Sequence, residues 1–362
     1  MTLAQGSCDA RFAAVRELLE RRLRDGDEAG ASVCVIQDGA TLVDLWGGWP
    51  RDALVNTWSL TKTMTALVVL ALVDRGVLDP AKPVAHYWPG FTGDVLVRHL
   101  LGHTSGLCGW DETVALEDIY DTERAAALLA AQPPWWRPGD GSGYQAVTHG
   151  HLIGELVRRA TGRSLGTILR DEFAEPSGAD YWLGAPPDID SRVTALIPPS
   201  SPGPVPTDRI AVRTLTNPLI PPAVTTTRPF LAAELGGLNG QGNARSVARL
   251  QSILSHEGAI GGRQYLSPAV IERVFQRQSD GMDRVLGARL RFGLGFALPS
   301  TAFPAIPPGR ICWWTGFGGS IVVNDLDRRL TFAYVMNRME PGLVGAPNAQ
   351  AYTEAVYASV DN

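Results

Sequence analysis

The sequence predicts an α+β fold in which an antiparallel sheet is flanked by helices and interrupted by a mostly helical unit. Three observations predict it. Strand-like runs cluster near the two ends of the chain, at residues 32–46 and 292–336. The stretch between them reads as helical pieces broken by Pro, Gly and His-containing loops. A continuous apolar helix at residues 61–76 leads from the first group of strands into that middle region. A sheet assembled from both chain ends implies a discontinuous mixed domain, residues 1–80 and 231–362, with residues 81–230 forming the mostly helical domain.

Taken in order, residues 9–25 show helical periodicity through Phe12, Val15, Leu18, Leu19 and Leu23. Residues 32–37 and 41–46 alternate as strands, and the Asp38-Gly39 pair between them is a hairpin turn signal. The helix at 61–76 ends at Gly76, a residue that closes helices because it tolerates positive φ. Helical pieces follow at 94–101, 122–131, 146–160 and 165–173. Residues 183–230 are rich in Pro, Ser and Thr, so they should hold little regular structure and serve as a lid or pocket wall, or else as a linker. Helices return at 246–256 and 267–276, strands at 292–298, 311–314, 320–324 and 330–336, and a last helix at 349–360.

Composition narrows the function. With 362 residues, 45% of them hydrophobic and 19% charged, the chain is long enough for two packed units. A net charge of −5 without a basic stripe argues against nucleic acid or an anionic membrane as partner. The apolar run at 68–73 lies in a helix too short to cross a bilayer. The first residues lack a basic region followed by an apolar run, so a cytoplasmic location is expected. Cys8, Cys34, Cys108 and Cys312 show no C-x-x-C spacing, which leaves neither a zinc ribbon nor a redox pair.

Chemistry concentrates at Trp58-Ser-Leu-Thr-Lys62. Ser59 and Lys62 fit an S-x-x-K pattern at the start of the apolar helix, where their spacing puts both side chains on one face. Backbone N–H groups at a helix start are unpaired and suit a developing oxyanion. A desolvated lysine there loses basicity toward the neutral amine that takes a serine proton. The chain has only two lysines, Lys62 and Lys82, so arginine would be the ordinary choice for mere positive charge, and arginine cannot act as a base.

A third proton-handling group is needed, and Tyr144, in the glycine-rich approach Pro138-Gly-Asp-Gly-Ser-Gly-Tyr144, is the candidate. A cation at Lys62 would favour its phenolate. The small residues of Trp314-Thr-Gly-Phe-Gly-Gly-Ser320 allow close backbone approach, so the Phe317 N–H is a candidate to join that of Ser59 in an oxyanion hole.

Trp58-Ser-Leu-Thr-Lys62, Val97-Arg-His-Leu-Leu-Gly-His-Thr-Ser-Gly-Leu107, Pro138 to Tyr144, Gly150-His-Leu-Ile-Gly-Glu155 and Gly316-Phe-Gly-Gly-Ser320 together resemble the serine β-lactamase and penicillin-recognising superfamily, in its class C-like branch with the family VIII esterases. The resemblance implies a β-lactamase/transpeptidase-like fold, Ser59 as acyl-forming nucleophile, Lys62 and Tyr144 as the proton-handling pair, and an oxyanion hole from the Ser59 and Phe317 N–H groups. It also directs substrate contacts to Trp314, Thr315, Gly316 and Gln145. Two departures bear on substrate. The family's Y-x-N is here Tyr144-Gln-Ala146, and its K-T-G is Trp314-Thr-Gly316, an indole in place of a cation that would attract a carboxylate. Arg310 would restore that charge only by folding inward.

Other motifs have simpler explanations. Gly162-Arg-Ser-Leu-Gly166 spells a nucleophile elbow but follows a helix instead of a strand, so Gly162 is expected to end one helix and Ser164 to cap the next. His149 and His151, two apart on a helix, do not face one metal. His99 and His103 read as hydrogen-bonded structural residues. The expected enzyme is a cofactor-free serine hydrolase acting on neutral small-molecule esters. The alternatives are an acyltransferase that passes the group to an alcohol or amine, a β-lactamase or D-amino-acid peptidase, and a catalytically silent binding protein.

Overall fold

Nine strands form a single antiparallel sheet in a computed structural model that describes residues 3–201, 203 and 206–360. They are β1 (Gln5–Cys8), β2 (Ala31–Gln37), β3 (Ala40–Gly47), β4 (Ser279–Met282), β5 (Arg289–Phe292), β6 (Ala297–Leu298), β7 (Ile311–Thr315), β8 (Ile321–Asp325) and β9 (Leu330–Met336). Their order across the sheet is β1-β3-β2-β9-β8-β7-β6-β5-β4, so the two chain ends meet where β2 pairs with β9. Asp38 and Gly39 both adopt positive φ, 49° and 79°, the geometry a two-residue hairpin turn needs. A bulge between Val35 and Ile36 adjusts the register of that hairpin.

The principal helices are α1 (Ala13–Asp25), α2 (Thr61–Asp74), α3 (Thr122–Ala131), α4 (Thr148–Thr161), α5 (Ala244–Ser255) and α6 (Pro347–Val360). Residues Ala31 to Ile36 and the whole of β9 are buried, so both faces of the sheet centre are covered. Side-chain alternation shows by what. Ser32 accepts the Ala244 N–H at the start of α5, while Tyr334, paired with neighbouring Val33, stacks on Tyr352 of α6 at 4.3 Å. Helix α2 is buried along Thr61–Val73, as an all-round apolar helix must be. It touches α5 on the sheet side and α4 on the other. No helix among the described residues is long and apolar enough to cross a membrane.

Several expectations need correction. Residues 183–230 hold more regular structure than their composition suggests. Val193–Thr194 pairs with Leu54–Val55, and Arg209–Thr216 is a helix whose first N–H groups are capped by the Asp208 carboxylate. The run at 292–298 is not one strand: the end of β5 turns through residues 293–296, where the Gly293 N–H donates to the Phe296 carbonyl and Gly295 adopts φ of 86°, to pair antiparallel with β6. The helix expected at 94–101 covers only Val97–Leu101, and that at 267–276 is Pro268–Glu272 followed by a 3₁₀ turn. Strands β1 and β4 had no apolar alternation to reveal them, being largely exposed Gln-Gly-Ser-Cys and Ser-Asp-Gly-Met.

Candidate active site

Ser59 lies in the 3₁₀ turn Trp58–Leu60 that runs directly into α2. Trp58 holds φ at 46°, an unfavourable conformation for a bulky residue. Asn56 stabilises it by accepting the Trp58 N–H at 3.0 Å, and Thr61 donates to the Trp58 carbonyl at 2.6 Å. The turn is further tied to Gly240, whose carbonyl accepts from both the Thr57 N–H and the Thr57 hydroxyl.

One turn on, the Lys62 amine lies 3.2 Å from Ser59 Oγ. It also donates to the carbonyls of Ala146 at 2.8 Å and Gly237 at 2.7 Å. Lys62 is buried, and no carboxylate among the described residues pairs with it, so burial alone drives its pKa well below the ordinary lysine value. A neutral amine has two N–H donors and one lone pair. The two carbonyls use the donors, which leaves the lone pair for the Ser59 proton.

Tyr144 completes the cluster by donating its hydroxyl to Ser59 Oγ at 2.6 Å. Its own oxygen accepts the Trp314 indole N–H at 3.2 Å. The expectation that Lys62 would favour a phenolate is overturned, because burial raises the Tyr144 pKa above the usual range and the neighbouring amine is itself driven toward neutrality. The Tyr144 phenol donates to Ser59 Oγ, and the Lys62 amine reaches the same oxygen. The backbone beneath Tyr144 is held by Asp283, which accepts the N–H groups of Tyr144, Val285 and Leu286.

Behind Tyr144 lie two buried imidazoles. His103, with φ at 56°, packs edge-on to the Tyr144 ring at 4.9 Å and accepts the Gln145 N–H, and His149 lies 5.0 Å from it. Burial, and then the nearness of other basic groups, drives both well below the usual histidine pKa. They are uncharged walls of the site.

Glycine brings the chain segments of the two oxyanion candidates together. A Cβ on Gly316 would sit 2.4 Å from the Thr57 carbonyl, so only glycine lets the end of β7 abut the serine turn. The Phe317 ring then packs at 5.9 Å from that of Trp58. Among the described residues no acceptor takes the N–H of Ser59 or Phe317.

The remaining expected substrate-contact residues are less exposed than the sequence suggests. Trp314 is buried, and its polar edge is directed at Tyr144 instead of offering only apolar surface. Thr315 donates to the Leu343 carbonyl. Gln145 is fully buried, with both amide atoms unpartnered among the described residues. Arg310 does not fold inward: it pairs with Glu272 and lies over Phe275. Ser164 caps a helix, accepting the Thr167 N–H and donating to Glu234, and Gly162 ends α4 with φ of 73°.

Sequence reasoning missed the carbonyls of Ala146 and Gly237 that hold Lys62. The glycines of Gly236-Gly237 were their only signal. A Cβ on Gly150 of α4 would fall 2.3 Å from the Gly237 nitrogen, which shows how closely that strand of chain passes.

Comparison with known proteins gives a consistent result. The Beta-lactamase family model matches residues 15–357. The chain is 31% identical to Esterase/beta-lactamase LipL of Mycobacterium tuberculosis over 95% of its own length and 85% of that protein. Its structure is similar to that of a family VIII carboxylesterase, with TM-score 0.92, 36% identity and coverage of 98% of this chain and 99% of the other. A penicillin-binding protein homologue from Caulobacter crescentus is equally similar, with TM-score 0.92 and 35% identity over 98% of this chain and 99% of the other. The fold, the extent of these matches and the Ser59, Lys62 and Tyr144 cluster agree, and the chain belongs to the beta-lactamase family.

Proposed function

We propose that the protein is a serine ester hydrolase that works through an acyl-enzyme on Ser59. The observation that carries this is the buried Lys62 amine, 3.2 Å from Ser59 Oγ and without a carboxylate partner among the described residues. Lys62 takes the Ser59 proton as Oγ attacks the ester carbonyl, and the N–H groups of Ser59 and Phe317 receive the oxyanion. As the tetrahedral intermediate collapses, the proton passes to the departing alkoxide, with the Tyr144 hydroxyl as relay. Water repeats the sequence on the acyl-enzyme and releases the acid. An alcohol or amine in place of that water would give acyl transfer from the same intermediate.

Neutral small-molecule esters fit the site better than carboxylate-bearing β-lactams. Trp314 occupies the position where a cation would meet a carboxylate, and Arg310 is engaged by Glu272. We place the protein in the cytoplasm, where its unpaired thiols, three of them buried, would stay reduced.

The test is steady-state hydrolysis of a neutral aryl ester and of a chromogenic cephalosporin by wild type, Ser59→Ala and Lys62→Met. Ester turnover should vanish in both variants, and the cephalosporin should be a roughly 100-fold poorer substrate by kcat/KM. Ester turnover that survives in Ser59→Ala would overturn the proposal.

A further inference from the structure

The rings around Ser59 form two groups with different chemistry. One is the cluster on the proton-handling side, Tyr144 and Trp314 with His103, against which Phe292 also packs. The other is an aromatic arc. Trp58 contacts Phe317 at 5.9 Å and Phe230 at 6.4 Å, and Phe230 contacts Tyr120 at 6.4 Å. Among the described residues no ring contact joins the two groups, and Ser59 stands between them, hydrogen-bonded to Tyr144 and covalently next to Trp58.

That division orients an ester. The leaving alcohol must receive its proton from the Tyr144 side, so the acyl group on the other side of the carbonyl is directed toward the arc. Trp58 and Phe230 are buried, whereas Phe317 and Tyr120 are partly exposed. The arc carries no cation. The Tyr120 hydroxyl is held above its ordinary pKa by burial and then by the nearby Glu117 carboxylate, a charge that would also repel an anionic acyl chain.

We infer that the arc of Trp58, Phe230, Tyr120 and Phe317 is an acyl-group subsite that selects neutral acyl chains ending in an aromatic ring. This rests on the ester hydrolase proposal and names its substrate class. Tyr120 is the specificity-determining residue, because its ring is the part of the arc farthest along from Trp58 and is not part of the proton-handling group.

The experiment holds the leaving group constant and varies the acyl group, comparing p-nitrophenyl acetate, butyrate, phenylacetate and 3-phenylpropanoate with wild type, Tyr120→Ala and Tyr120→Phe. Wild type should prefer an aryl-bearing acyl group over acetyl by at least about tenfold in kcat/KM, as expected for one ring packed on an apolar wall. Tyr120→Ala should reduce that preference to about threefold or less, and Tyr120→Phe should restore it. Urea unfolding of both variants alongside wild type shows whether Tyr120→Ala is folded. Equal rates on acetate and both aryl esters in wild type, or a preference that survives in Tyr120→Ala, would overturn the subsite and leave the hydrolase proposal standing. Absence of turnover on every ester would overturn both.

Discussion

Replacing Trp314 with Phe removes one polar contact from the site and keeps an aromatic ring near Tyr144, Phe292 and Trp313. The lost contact is the indole N–H that reaches the Tyr144 oxygen at 3.2 Å. A neutral hydrogen bond contributes about 0.5–1.5 kcal/mol, and this one is longer than the usual N–H···O distance of about 2.9–3.0 Å. Taking about 1 kcal/mol, the expected loss in kcat/KM is about fivefold, since about 1.4 kcal/mol corresponds to tenfold. The indole N–H is also one of the contacts that hold down the Tyr144 pKa against burial. Its removal should therefore keep the phenol protonated throughout the assay, with no alkaline limb from Tyr144 below pH 11. The assay is kcat/KM for a neutral aryl ester from pH 6 to 11, with urea unfolding in parallel to separate the effect of the smaller ring on stability. A loss beyond about 100-fold would mean that Trp314 itself touches the reacting atoms. An alkaline limb that appears below pH 11 only in Trp314→Phe would refute the linkage to Tyr144.

Other perturbations test the rest of the account. Lys62 can serve as the proposed base only as the neutral amine, so kcat/KM should fall as pH drops through its depressed pKa, and an acid limb near the ordinary lysine value of 10.5 would contradict the assignment. Gly150→Ala places a Cβ 2.3 Å from the Gly237 nitrogen, which should displace the carbonyl that holds Lys62, lower stability by about 1–3 kcal/mol and reduce kcat; unfolding and turnover measured together check it. Burial raises Glu28 to about 7 despite the Arg22 guanidinium at 3.2 Å. The folded state thus binds that proton more tightly than the unfolded chain, and Glu28 lowers stability as pH rises from 4.5 to about 7, by up to about 3 kcal/mol. Glu28→Gln should gain on wild type in urea unfolding between pH 5 and pH 8. Ser164→Ala should cost about 1 kcal/mol, the worth of an N-cap, and leave ester turnover unchanged.

What the sequence disclosed follows from where the physical signal was local. The S-x-x-K spacing, the Asp38-Gly39 turn, and the Gly162 and Ser164 caps are decided within a few residues, and the structure repeats them. The buried state of Lys62 was legible because α2 is apolar all round. Its two carbonyl partners were not, since Ala146 and Gly237 contribute backbone atoms, marked in the sequence only by the Gly236-Gly237 pair. The pKa of Tyr144 was misjudged for the same reason: its burial, beside His103 and Trp314 from distant parts of the chain, outweighs the hydrogen bonds with Ser59 and Trp314 that lower it. Trp314 was read as apolar surface because the sequence does not say which edge of an indole meets a neighbour. The edge strands β1 and β4 escaped because exposed polar strands are held by pairing alone.

The most direct test of the central claim is the intact-protein mass of wild type and Ser59→Ala after brief exposure to a short-chain aryl ester, with and without an added alcohol or amine. The account predicts an added acyl mass on wild type only, lost with time as water releases the acid. Loss accelerated by the added alcohol or amine would identify acyl transfer. Ester turnover by wild type with the same adduct on Ser59→Ala, or an adduct mapped to a residue other than Ser59, would contradict it.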